Sequence, residues 1–268
     1  MTKSLTPEQI AAYERDGYLC PFDAFPAGTA AAFYRTLCDF GQEIGEDPLN
    51  VLRVKAHLVA PFVVEIAKSP AILDVVEDLI GPDIKLYLSA LWAKDANDPR
   101  YVSWHQDSTY FGLDPHEEVT VWVALTPSTA ESGCIRVLPG SHRQPDMQHV
   151  ETRDPKNLLS RGQAIHGIDE SAAVNMELQP GQFSVHHERM VHGSPPNASA
   201  QPRVGISFMF IPCHVRSTIG RKGAISMRGE DRFGNWDPVS VAVLRKFQDE
   251  YRDPDLRSEA ERAAGAGE

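Results

Sequence analysis

From Ile84 onward the apolar residues of this chain leave a helical period and begin to alternate. Ile84–Trp92, Tyr101–His105, Val119–Leu125, Ile135–Leu138, Val174–Leu178, Phe183–His187 and Val204–Ile211 are short and rich in β-branched and aromatic residues, with turn-forming clusters between them. Before Ile84 the signals are helical. Thr6-Pro7-Glu8-Gln9 combines an N-cap, a proline at the first helical position and a capping-box partner, predicting a helix to about Asp16 with Gly17 as the stop. Ala27–Ile44 places Phe33, Leu37, Phe40 and Ile44 on one helical face, and Ser69-Pro70 opens a third helix that ends near Gly81-Pro82.

Leading helices followed by many short strands predict a mainly β protein with flanking helices, built on a double-stranded β-helix (jelly-roll, cupin-like) core. The expected organisation is one domain over residues 1–268, with a helical buttress at about 1–82, the core at about 84–213 and a C-terminal extension at about 214–268. Within the buttress, Val51-Leu52-Arg53-Val54-Lys55 alternates like a strand. The polar, aperiodic segment from Gln144 to Ala173 is long for a connection and is expected to act as a lid or substrate-facing loop. Pro238–Tyr251 is a helix candidate, and Ser258–Glu268 is expected to fray.

A net charge of −11 argues against nucleic acid or an anionic membrane as partner. Residues 214–232 form a local basic stretch, read as a solvated loop in preference to an anion-binding face. Cys20, Cys38, Cys134 and Cys213 have no CxxC spacing, and no signal peptide or membrane-length apolar run is evident. These features lead to the expectation of a cytoplasmic protein with a small-molecule substrate.

Trp104-His105-Gln106-Asp107 carries the chemistry. Read as a strand, it projects His105 and Asp107 to one face. A metal site needs a third ligand, and the best candidate is His192 in Val191-His192-Gly193-Ser194. Two imidazoles and one carboxylate with open positions form the facial triad of non-haem Fe(II) oxygenases. Arg203, in Gln201-Pro202-Arg203-Val204-Gly205, offers a planar fork suited to the far carboxylate of a keto-acid co-substrate such as 2-oxoglutarate. The turn chemistry of Gly193-Ser194-Pro195-Pro196-Asn197 predicts that His192 and Arg203 lie on neighbouring strands.

His105-Gln106-Asp107, His192-Gly193-Ser194 and Pro202-Arg203, in that order, resemble the signature of the phytanoyl-CoA dioxygenase family. Leu5–Ile10, Asp16-Gly17-Tyr18 and Cys134–His142 are similar to other segments of the same family, so the resemblance covers most of the chain. It implies an Fe(II)- and 2-oxoglutarate-dependent dioxygenase. On this resemblance His105, Asp107 and His192 hold Fe(II), and Arg203 grips the 2-oxoglutarate carboxylate. The Gly-Ser after His192 favours it over His186 and His187 as the distal ligand. The resemblance also brings in Lys55 as a match to an upstream lysine that reaches the co-substrate. Trp122 is a candidate to pack beside the co-substrate, with a core aromatic as the plainer role. Ser194 is a candidate hydrogen-bond donor to the carboxylate, with turn initiation as its plainer role.

The expected reaction consumes 2-oxoglutarate and O2, releases succinate and CO2, and hydroxylates an unactivated C–H bond of a small metabolite. The carboxylate of Asp107 favours hydroxylation over halogenation, since relatives that halogenate carry a small residue there. The alternatives are a cupin-type metal-dependent isomerase or lyase, and a non-catalytic metabolite sensor on the same fold. The remaining histidines are read as structural or surface residues, with His142 as a hydrogen-bonding residue after a turn.

Overall fold

A computed structural model describes residues 3–239, except Arg153, Ser160, Arg161 and Arg221. The helix candidate at Pro238–Tyr251 and the segment Ser258–Glu268 therefore lie largely or wholly outside the described residues. The elements in order are α1 (Pro7–Asp16), β1 (Tyr18–Asp23), α2 (Ala27–Ile44), α3 (Pro48–Val51), α4 (Ala56–Val59), α5 (Pro61–Ala67), α6 (Pro70–Ile80), β2 (Ile84–Lys94), β3 (Val102–His105) and α7 (Ser108–Phe111). They continue with β4 (Leu113–Asp114), β5 (Val119–Ala124), β6 (Ile135–Val137), β7 (Val150–Glu151), β8 (Gln163–Ala164), β9 (Val174–Met176), β10 (Gln182–His187) and β11 (His192–Ser194). The last are β12 (Arg203–Pro212), β13 (Arg216–Ser217), β14 (Gly223–Arg228) and β15 (Asp237–Pro238).

Two sheets face each other in a jelly roll. The larger has seven strands in the order β1-β10-β5-β12-β2-β14-β15, and the smaller four in the order β3-β11-β6-β9. Period-two alternation gives each central strand two different jobs. On β12, Val204, Ile206, Phe208 and Phe210 join Val119, Val121 and Val123 of β5 and Phe183 and Val185 of β10 in a core shared with the helices. The intervening residues of β12, Arg203, Gly205, Ser207 and Met209, take the opposite face. Three of them line a cavity between the sheets. Both faces of β12 are therefore buried along its whole length, which explains its nearly unbroken apolar sequence.

The predicted helix starts and stops are present. Thr6 Oγ1 accepts from Gln9 N, Gln9 Oε1 accepts from Thr6 N, and Gly17 ends α1 in the left-handed region at φ 81°. Gly17 also sits where a Cβ would collide with His142 and Met190, so glycine permits the close approach as well as the turn. The exit of α1 is tied down there: Gly140 N donates to Asp16 O, His187 N donates to Gly17 O, and His142 Nε2 donates to Glu14 O. His142 is thus the structural hydrogen-bonding residue expected.

Three boundaries differ from expectation. Val51–Lys55 is not a strand: Asp47 caps α3 at Leu49 N, Pro48 and Pro61 open helical turns, and Lys55 at φ 56° breaks α3 from α4. Five alternating residues cannot distinguish a strand from the junction of two short helices. The short apolar stretch Tyr18–Phe25, which reads as strand or extended chain, holds β1, and β1 belongs to the large sheet beside β10 rather than to the helical buttress. The C-terminal extension also joins that sheet, through β14 beside β2.

Four residues of the basic stretch form ion pairs. Arg216 meets Asp114, Arg228 meets Asp74 and Glu77, Arg232 meets Glu230, and His214 meets Glu117. The long segment after Gln144 runs along the outer edge of β3. Tyr101 N donates to Lys156 O, Leu158 N to Tyr101 O and Ile165 N to Trp104 O, so the free edge of that short strand is covered. No helix among the described residues is long and apolar enough to cross a membrane.

Candidate metal and co-substrate site

His105 and His192 face each other across the ladder between β3 and β11, where they are direct register partners. Their ring centroids lie 4.1 Å apart. Each Nδ1 lies beside a backbone carbonyl, at 2.9 Å from Ser103 O for His105 and 3.0 Å from Met190 O for His192. A carbonyl only accepts, so each Nδ1 carries the proton and each Nε2 presents a lone pair to the cavity. Backbone carbonyls thus fix the tautomer and orientation that a metal ligand requires.

Asp107 completes the group from outside the strand. β3 ends at His105, and Asp107 stands in helical conformation at the N-cap of α7, so the expectation that both project from one strand face is corrected. An aspartate at that position ordinarily caps the helix, but this one makes no capping bond. Its carboxylate turns to the histidines instead, 3.4 Å from His105 Nε2 and 4.0 Å from His192 Nε2. The ligand atoms of the three residues lie within 4.8 Å of one another. Burial opposes ionisation of Asp107, the neighbouring His105 and His192 side chains favour it, and the net shift of its pKa is downward, so the group is a carboxylate. Burial pushes the pKa of His192 far down, leaving a neutral imidazole. Neutral nitrogen donors with one ionised carboxylate form the donor set that Fe(II) takes.

The cavity holding these groups reaches Arg203. Arg203 is 1% exposed and forms no ion pair among the described residues. Its Nε donates to Ser128 Oγ at 3.4 Å, one guanidinium nitrogen has no partner, and Cζ lies 4.2 Å from the Trp122 ring centroid. Burial lowers its pKa to about 10, so the group remains a cation at neutral pH. A buried cation without a counter-ion is costly, and the geometry suits an incoming carboxylate. Gly205 makes room for the Trp122 indole, which a Cβ there would strike.

Trp122 and Ser194 both line this cavity. Lys55 does not. It stands at the start of α4, half-buried, and its ammonium lies near Lys222, which together with burial lowers its pKa. The lysine beside Arg203 is Lys94, its register partner on β2. Lys94 is fully buried and donates to Ser194 Oγ and the Gly133 and Ser194 carbonyls. Burial and Arg203 pull its pKa to about 6, against acceptors that favour the ammonium. Its sequence signal is weak: a lysine two residues beyond Trp92, in alternation with it, where the strand reading stopped too early. Sequence reading also placed His192 and Arg203 on neighbouring strands. They lie on opposite sheets, β11 and β12, and the turn between them crosses the sandwich. His186, set aside in favour of His192, lines the same cavity without being one of the three clustered ligands.

The fold and this site define a non-haem iron oxygenase of the jelly-roll type. The phytanoyl-CoA dioxygenase family model matches residues 13–205, and the chain belongs to that family. It is 28% identical over 242 residues to a probable phytanoyl-CoA dioxygenase of Caenorhabditis elegans, covering 78% of this chain and 75% of the relative. Among solved structures it resembles the apo form of the non-heme monooxygenase ThoJ, with 31% identity, a TM-score of 0.77 and coverage of 97% and 99% of the two chains. It shares its fold with CytC3, solved with Fe(II) and alpha-ketoglutarate, at 22% identity, a TM-score of 0.66 and coverage of 88% and 93%. The protein is therefore a 2-oxoglutarate-dependent non-haem iron dioxygenase that uses Fe(II), 2-oxoglutarate and O2.

Proposed function

We propose that this enzyme hydroxylates an unactivated C–H bond of a small organic metabolite, releasing succinate and CO2, with His105, Asp107 and His192 as the iron ligands. One observation carries the reading: a single cavity joins this cluster at one end to a buried guanidinium lacking a carboxylate partner at the other. Bound Fe(II) with 2-oxoglutarate supplies the activation of O2.

The chain's own residues bind and orient. Arg203 fixes the far carboxylate of 2-oxoglutarate, which sets the direction of the keto-acid end toward the cluster. Ser194 stands beside it with Lys94, its hydroxyl already donating to Gly133 O at 2.8 Å. Trp122, Val102 and Ile135 form apolar walls that keep water from the co-substrate. Lys55 is not assigned a role in binding. The whole chain is proposed to act as one catalytic domain.

The test is succinate formation by anaerobically purified, Fe(II)-loaded protein given 2-oxoglutarate and O2. Slow turnover in the absence of substrate, lost in Arg203→Ala, is the expected result. No succinate from fully metal-loaded protein, or no loss in Arg203→Ala, would sink the assignment.

A further inference from the structure

Inward-facing residues of the large sheet fall into rows across β10, β5 and β12. One row is Ser184–Trp122–Ser207, and the next is His186–Thr120–Met209. Arg203 lies beyond the first row, four residues along β12 from Ser207, which is on the order of 13 Å of extended chain. The second row is at the other end and abuts the metal cluster: the His186 ring lies 4.7 Å, centroid to centroid, from that of His192. Co-substrate stretched between Arg203 and the metal occupies the Trp122 side. The wall left for a substrate is the row of His186, Thr120 and Met209.

His186 is the unusual member of that row. It is 1% exposed and lines the cavity, yet neither ring nitrogen has a hydrogen-bond partner among the described residues. A buried polar group left unpaired is costly, and such groups persist where something else pairs them. The other two offer less. Thr120 Oγ1 gives its proton to Glu118 Oε1 at 2.8 Å, and Met209 is apolar. The His186 imidazole nitrogens are hydrogen-bonding groups facing the cavity with nothing among the described residues to pair them.

We propose that His186 is a specificity-determining residue that hydrogen-bonds a hydroxyl group of the substrate next to the carbon being oxidised. A hydroxyl complements an imidazole, since it can accept from a ring N–H or donate to a bare ring nitrogen. Met209 offers apolar contact to the carbon skeleton beside it. The substrate class is a small, hydroxyl-bearing compound. This inference rests on the oxygenase reading above.

The experiment measures stimulation of succinate formation by pairs of compounds differing in one hydroxyl: cyclohexanol against cyclohexane, 3-hydroxybutyrate against butyrate, and 4-hydroxyproline against proline. Basal succinate formation is recorded first, so failure of the oxygenase reading is recognised separately. The expected result is a hydroxylated member favoured roughly ten- to hundredfold in kcat/KM over its partner. His186→Phe should abolish that ratio and His186→Gln should restore much of it. The ratio is internal to each variant, so a general loss of activity does not mimic the effect. A purely structural role for His186 predicts the same ratio in all three proteins. The proposal is overturned if no hydroxylated member exceeds its partner, or if the ratio survives in His186→Phe.

Discussion

The guanidinium of Arg203 rests on the indole of Trp122, with 4.2 Å between Cζ and the ring centroid. Both groups are almost fully buried, and no carboxylate among the described residues competes for the cation. A desolvated contact of this kind is worth about 2 kcal/mol. Trp122→Leu is accordingly expected to weaken 2-oxoglutarate binding by roughly tenfold or more. Anaerobic titration of Fe(II)-loaded protein measures this directly. Unchanged affinity would mean that the indole only fills space. Gly205→Ala tests the same contact from beneath, because its methyl group displaces the indole, and it should weaken binding in the same direction.

Asp107 supplies the only negative charge of the three clustered ligands. Asp107→Ala leaves two neutral imidazoles, and Fe(II) affinity should fall by roughly 100-fold or more, beyond the loss typical of an outer supporting residue. Competition with a chromogenic chelator gives the affinity. The gain in melting temperature on adding Fe(II) should vanish in parallel. A variant that kept both would remove Asp107 from the ligand set.

Glu118 and Glu188 are both fully buried, each with one carboxylate oxygen unpaired among the described residues. Burial, with Asp107 adding to it, raises the pKa of Glu188 to about 8, and burial, Glu188 and Asp107 raise that of Glu118 well above the carboxylate range. The folded protein therefore binds more protons than the unfolded chain once pH exceeds the ordinary carboxylate value. The stability from this pair is complete below that value and is lost as pH rises toward about 8. Urea unfolding of metal-free protein should show falling stability across that window, and Glu188→Gln should flatten the slope. A slope unchanged by the substitution would place its origin elsewhere.

Gln106, between the two ligands of the motif, is fully buried. Its Oε1 accepts from Met147 N and its Nε2 donates to Arg189 O, both at 2.8 Å, while its backbone N–H donates to His149 Nε2 at 3.0 Å. The side chain fastens the start of the long loop to the metal motif. Gln106→Leu should speed amide hydrogen exchange at Met147 roughly tenfold, the value of one lost hydrogen bond. Protection equal to that of the unaltered protein would show that the loop is held by other contacts.

The clustered His105, Asp107 and His192 were legible in the sequence because metal-binding chemistry restricts such a set to few residue types. Their supports were less so. His105 announces itself, but the carbonyl of Ser103 that fixes its ring has no letter of its own. Asp107 was read as a strand residue because a two-residue spacing is also what a strand end followed by a helical turn produces. The strands from Ile84 to Ile211 followed from alternation. The sheet partners of β1 and β14 did not, since edge pairing depends on distant contacts. Lys94 escaped notice, and His186 was weighed only as a rival ligand, for a common reason: a polar residue inside an apolar strand signals burial in a cavity only once the opposite sheet is known.

The docking of α1 at Gly17 has a consequence for chain architecture. Gly17 admits Met190 at close range, and the Met190 carbonyl orients the ring of His192. The first turns of the polypeptide thus act as scaffolding for a ligand found near the far end of the core. Trimming the N-terminus, or grafting another protein onto a shortened one, would be felt as a lesion at the iron centre.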